Sequence, residues 1–128
     1  MIDHVSIPVK DLEASVAAYE RILSPLHYTP LVERSDTVGF GNSHPEFWLN
    51  ARPEMSEAAP DDSGYHVCLR APDEAAVVEF HTIALEFGCR SAGAPGMRPA
   101  ADTTYFSAFI YDLDGNKVEA ASSPRKIY

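Results

Sequence analysis

Basic residues are scarce in this chain: Lys and Arg number 10 against 19 Asp and Glu, for a formal net charge of −9 over 128 residues. Nucleic acid and anionic membrane surfaces are both gripped through a basic footprint, so neither is a fitting partner. A cationic ligand would suit the balance. There are only two cysteines, no N-terminal apolar run behind a basic flank, and no stretch approaching the roughly 18 apolar residues of a membrane span. The sequence therefore predicts a cytoplasmic, soluble protein with both thiols reduced.

What the chain does contain is its own opening, restated. Gly64-Tyr65-His66-Val67-Cys68-Leu69 repeats the pattern of Ile2-Asp3-His4-Val5-Ser6-Ile7 at an offset of 62 residues, which also lays Asp73 on Asp11. Such a period is the mark of internal duplication. At 128 residues the chain is one domain, so the copies are half-domains sharing one core.

Residues 2–9 read as a strand with Val5, Ile7 and Val9 on one face and His4 and Ser6 on the other. Asp11 is placed to cap a helix whose apolar residues recur at helical spacing until Pro25. Segments 28–34, 37–41 and 46–50, separated by turn residues, predict an antiparallel meander. The first module is thus βαβββ over residues 1–50. Residues 51–63, rich in proline, acids and serine, read as a surface linker. The second module, 64–121, has a strand to Ala71, a helix capped at Asp73 and stopped at Gly88, and a strand at 105–111. A turn follows at Asp112-Leu113-Asp114-Gly115-Asn116, and 117–121 is the closing strand. Residues 91–104, with Gly93, Pro95, Gly96 and Pro99, predict a loop, and 122–128 a tail. The fold class read from these patterns is α+β, one module written twice, with a helix covering the apolar face of each repeat.

Equivalence of the copies puts His4 and His66 at matching places, aimed away from the helices. Alternation around Val118 turns Glu119 to the same inner face. A carboxylate there is costly to leave unpaired, and two neutral imidazoles around a shared cation would offset the cost. Two histidines and one carboxylate can hold a divalent ion, Fe, Mn, Zn or Ni, with positions open for substrate. Trp48, Cys68, Tyr105 and Phe109, with Ser6, are candidates to line a substrate pocket, although Cys68 reads more readily as a packed, buried thiol and the aromatic residues equally as filling of the interior. Arg70 and Arg98 could hold an anionic group or simply be solvated. His27, His44 and His81 read as surface or helix residues.

The residues Met1–Ile7, Asp11-Leu12 with Ser15 and Tyr19, and above all 112–120 (Asp-Leu-Asp-Gly-Asn-Lys-Val-Glu-Ala) resemble the vicinal oxygen chelate superfamily. That group includes glyoxalase I, bleomycin-resistance proteins, fosfomycin-resistance thiol transferases and extradiol dioxygenases. The resemblance spans nearly the whole chain. It implies an α+β fold of two βαβββ modules forming a curved, open mixed sheet around a cleft with helices on the convex side, His4, His66 and Glu119 as ligands, a small vicinal-oxygen substrate and a homodimer. Glyoxalase I takes a fourth carboxylate ligand from the last strand of its first module; here that strand offers apolar residues, with Leu49 at the expected place and Glu46 too early. The missing ligand leans the reading toward an extradiol-dioxygenase-like oxidoreductase, with a glyoxalase-type lyase or thiol transferase, or a drug-sequestering protein without catalysis, as alternatives. Some uncharacterised members share the run 94–99 and Tyr105-Phe106 but are expected to carry histidines where this chain has Ala100 and Asp102. That leaves Tyr105 as the candidate acid-base residue, a poor base at the ordinary value near ~10.

Overall fold

The computed structural model describes residues 1–56, 63–100 and 103–122. In it, two aspartates start two helices in the same way. Asp11 Oδ1 accepts the N–H of Ala14 (3.1 Å) ahead of α1, Leu12–Ile22, and Asp73 Oδ1 accepts that of Ala76 (2.8 Å) ahead of α2, Glu74–Glu86. Each carboxylate satisfies a donor that the helix itself leaves open. Around these helices the first module has β1 Val5–Val9, β2 Thr29–Glu33, β3 Thr37–Gly41 and β4 Pro45–Ala51. The second has β5 Val67–Arg70, β6 Arg90–Pro99, β7 Thr104–Tyr111 and β8 Lys117–Ser122. The duplication read from the sequence is thus a duplication of elements.

The strands form two four-stranded sheets, ordered β1-β4-β3-β2 and β5-β8-β7-β6. In each the first strand pairs in parallel with the last, and the meander between is antiparallel. A helical crossover is what permits the parallel pair. One face of each sheet is apolar and covered: Ile7, Val9, Val67 and Leu69 are buried beside Phe47, Phe80 and Ile110 in a single core cluster to which both modules contribute. The α2 helix packs on β6, β7 and β8 and also on α1 and the short 3-10 turn Ser24–Leu26. The opposite faces, carrying the even-numbered residues of β1 and β5, are left for the site. None of the helices among the described residues is long and apolar enough to cross a membrane.

Several boundaries differ from the sequence reading. The first strand begins at Val5 and its counterpart at Val67, so His4 and His66 each stand immediately before a strand. Residues 90–99, for which glycine and proline predict a loop, form β6, paired to β7 with register shifts at 91–93 and 93–96. The strand survives because it is at the sheet edge, where bulges and missing N–H groups are tolerated. His81 is buried, 8% exposed, with Nε2 2.8 Å from Ser91 Oγ, and desolvation lowers its pKa. Amphipathic spacing alone could not show that β6 would cover it. The middle of the expected linker (57–62), Asp102 and nearly all of the tail (123–128) lie outside the described residues.

Candidate active site

Gly64, at φ +78°, turns the chain just before β5. Its carbonyl lies 3.2 Å from His66 Nδ1, and since a carbonyl can only accept, that nitrogen carries the ring proton. His66 Nε2 then presents a lone pair, and it faces Glu119 Oε1 at 3.2 Å. Two lone-pair-bearing atoms converge at that distance only with something between or beside them, a proton on the imidazole or the carboxyl, or a cation. Glu119 sits at the centre of its sheet, between Cys68 on β5 and Phe109 on β7, and is only 3% exposed. Its second oxygen, Oε2, accepts no hydrogen bond of good geometry among the described residues, although the Cys68 thiol and the Tyr105 hydroxyl stand near enough to the carboxylate to be held protonated by it. A buried carboxylate oxygen left in this state is the donor a metal ion would use, and the carbonyl behind His66 is the kind of outer partner that fixes a ligating imidazole. His66 and Glu119 therefore offer two donors suited to a divalent ion, an incomplete ligand set by themselves.

His4 repeats the second-module arrangement in part. Its Nδ1 is 2.8 Å from Asp3 Oδ1, which again leaves Nε2 as the free nitrogen. His4 and His66 border one cleft of about 440 Å³, shared with Tyr28 and Glu46. They are not gathered further: among the described residues no three His, Cys, Asp or Glu side chains are close enough to hold a metal within one chain.

Of the expected pocket residues, Cys68, Tyr105 and Phe109 come together around Glu119. Phe109 pairs with Glu119 across the β7/β8 ladder and packs against the His66 ring, centroids 5.3 Å apart. Cys68 is exposed, contrary to the packed thiol the sequence suggests, because β5 turns it to the open face. Crowding around its sulfur and the neighbouring Glu119 nonetheless push the thiol up to about 12, which makes it a poor nucleophile. Desolvation and Glu119 also raise the Tyr105 hydroxyl, so it stays protonated and can donate a hydrogen bond but not act as a base. Ser6 and Trp48 are partners on the first sheet.

The pairing register corrects the position of the missing fourth ligand. Cys68 pairs with Glu119 in the second module, and its counterpart Ser6 pairs with Trp48 in the first. The residue equivalent to Glu119 is thus Trp48; Leu49 points into the core and is fully buried. Sequence spacing missed this because β6 and β7 are longer than β2 and β3, which breaks the 62-residue offset beyond α2. Glu46 is on the same face as Trp48 and borders the cleft with His4, but it is held by Tyr28 Oη at 3.4 Å and faces His44 Nε2 at 3.9 Å. Two residues passed over in the sequence also belong to the site: Gly64, whose carbonyl orients His66, and Lys117. Strand alternation from Glu119 was the available signal for Lys117.

Residues 1–120 match the family model of the glyoxalase/bleomycin resistance protein/dioxygenase superfamily, and this chain belongs to that superfamily. A glyoxalase/bleomycin resistance protein from Albidiferax ferrireducens T118 superposes with a TM-score of 0.81 at 25% identity, over 94% of this chain and 98% of that one. A glyoxalase/dioxygenase from Nostoc punctiforme gives 0.70 at 22% identity (98% and 92% covered). The fosfomycin resistance protein FosX from Listeria monocytogenes gives 0.67 at 18% (96% and 93%). No curated protein matches the chain.

Proposed function

We propose that this protein is a metal-dependent enzyme acting on a small substrate with two neighbouring oxygens, and that its reaction is closer to that of a ring-cleaving dioxygenase than to that of a glyoxalase-type lyase. The observation that carries the reading is the Glu119 carboxylate, buried, facing the lone pair of His66 through one oxygen and unpartnered at the other. His66 and Glu119 would hold a divalent ion, Fe, Mn, Zn or Ni, which would supply Lewis acidity to the substrate oxygens. Trp48, where a fourth carboxylate would be needed, supports a three-ligand set and hence the dioxygenase lean.

The third ligand in this reading is His4 of a second copy in a two-fold homodimer. Supporting this, β1 and β5 are both edge strands whose outer sides have no partner strand among the described residues, and His4 does not reach His66 and Glu119 within its own chain. Within the site, Gly64 holds the His66 tautomer, Phe109 fixes the ring, and Tyr105 offers its proton beside Glu119.

The test is complementation between inactive variants. His4→Ala and His66→Ala should each lose stoichiometric metal, yet mixing them under conditions of subunit exchange should restore about a quarter of the sites, because a two-fold heterodimer rebuilds one intact site of two. Restoration of none would rule out the shared site. Catechol cleavage with oxygen uptake after anaerobic Fe(II) loading supports the dioxygenase lean, hemithioacetal isomerisation replaces it with a lyase, and tight binding of a cationic drug with neither activity replaces it with sequestration.

A further inference from the structure

A chain of formal charge −9 gathers two cations about one aromatic ring, and that ring is the ladder partner of its buried carboxylate. The Arg98 guanidinium lies 5.3 Å from the centroid of the Phe109 ring and Lys117 Nζ lies 5.0 Å from the same centroid. Phe109 and Lys117 flank Glu119, one across the ladder and one two residues earlier on the same strand face. No carboxylate among the described residues forms an ion pair with either cation. In a sequence with 19 acidic residues, two half-buried cations without an acidic partner are costly unless something else supplies the negative charge.

Arg98 is also held in place. Nη1 donates to the carbonyls of Gly96 (2.8 Å) and Ser107 (2.7 Å), and Nη2 donates to that of Ala94 (2.9 Å). These bonds fix the guanidinium without neutralising it, and two of its five N–H groups remain without an acceptor. The space it occupies exists because residue 93 is glycine: a Cβ there would stand 2.9 Å from Nη2 and 3.2 Å from the Phe109 ring. A second, independent sign is the pair of orphaned oxygens. Among the described residues, the buried side-chain oxygens without a hydrogen-bond partner include Glu119 Oε2 and Ser107 Oγ, and strand alternation places both on the face that carries Phe109. Polar atoms buried in this state mark a surface built to meet something polar.

We propose that the substrate is a small carboxylate-bearing anion, its carboxylate bound by Arg98 and Lys117 across Phe109 while its remaining oxygens extend over Glu119. Assigning these cations to the substrate rests on the reading of His66 and Glu119 as the reaction centre. The local field here is opposite to the net charge of the chain, which disfavours a cationic drug at this surface.

The test uses the protein stripped of metal only after the metal content of each preparation has been measured, with benzoate and its neutral isostere benzamide as probes, followed by proton–nitrogen NMR at the Arg98 Nε–H and at the Gly93 and Ser107 amides. Benzoate should bind about tenfold more tightly than benzamide and shift these signals. Lys117→Met should bring the ratio close to one, and Gly93→Ala, which removes no charge, should lower it by displacing the guanidinium. Equal affinities, no binding of either probe, or a benzoate preference unchanged in Lys117→Met would overturn the proposal. Metal stoichiometry on the same preparations is read separately: absent metal with retained benzoate preference defeats the reaction-centre reading alone, and bound metal without that preference defeats this proposal alone.

Discussion

The phenol of Tyr19 donates a 2.6 Å hydrogen bond to Asp112 Oδ2, tying the helix of the first module to the turn before the last strand of the second. The same carboxylate accepts from the backbone N–H groups of Asp114 and Asn116 (both 2.9 Å) and from Asn116 Nδ2 (3.0 Å), and Asn116 Nδ2 also donates to the Pro8 carbonyl (2.9 Å). The Asp-to-Asn segment that carries the family resemblance is therefore a clasp between modules. It orients the start of β8, two residues ahead of Glu119.

Tyr19→Phe keeps the ring packed on Phe40 and Phe47 but withdraws one donor from a buried carboxylate. It should lower stability by about 1–3 kcal/mol, the usual cost of leaving a buried acceptor short. Urea denaturation should show a lower midpoint at unchanged slope, with both modules unfolding in one transition; no change in midpoint would mean the clasp is idle.

Alkaline pH should act through the same residue. Burial first, and Asp112 second, hold the Tyr19 pKa well above 10.0, so the folded state keeps a proton that the unfolded state loses. Its contribution is fully present below the unfolded value and is lost as pH rises beyond about 10, at up to ~1.4 kcal/mol per pH unit. In Tyr19→Phe the alkaline limb of a stability–pH profile should be shallower. Identical limbs in the two proteins would assign the effect to other groups.

Glu119→Gln should abolish metal binding and yet stabilise the protein in chelator. The amide can donate to His66 Nε2, which removes the opposition between two lone pairs, for a gain of about 1–2 kcal/mol. Thermal unfolding with excess chelator measures it. A less stable glutamine variant would show that a second proton on His66 already bridges the pair.

The register makes Trp48 and Leu49 opposites. Trp48→Glu puts a carboxylate on the open face at the place equivalent to Glu119 and should raise divalent-metal affinity while the protein stays folded. Leu49→Glu buries a charge in the core and should cost roughly 3–5 kcal/mol or prevent folding. Equilibrium metal titration and circular dichroism separate the two, and the reverse pattern would mean the register is wrong.

Taken alone, the sequence determined what repeats locally. His4 and His66, the two capping aspartates and the alternation around Val118 are short-range patterns, and short-range geometry reads them directly. They were enough to give the first βαβββ module, the repeat of its strand and helix in the second, the helix starts and the inner-face position of Glu119. What only the tertiary structure decided depends on distant partners. That 90–99 is a strand follows from its place at the edge of β7, where bulges absorb its glycines and prolines. That Trp48 and not Leu49 answers to Glu119 follows from pairing with β1, since insertions in the second meander disturb any count along the chain. That Arg98 stands fixed over Phe109 follows from three carbonyls its own spacing does not reveal, and that His4 stays apart from His66 and Glu119 follows from how the two modules pack through their helices. Backbone periodicity is a property of neighbours in sequence; which faces meet is settled by burial of the shared core.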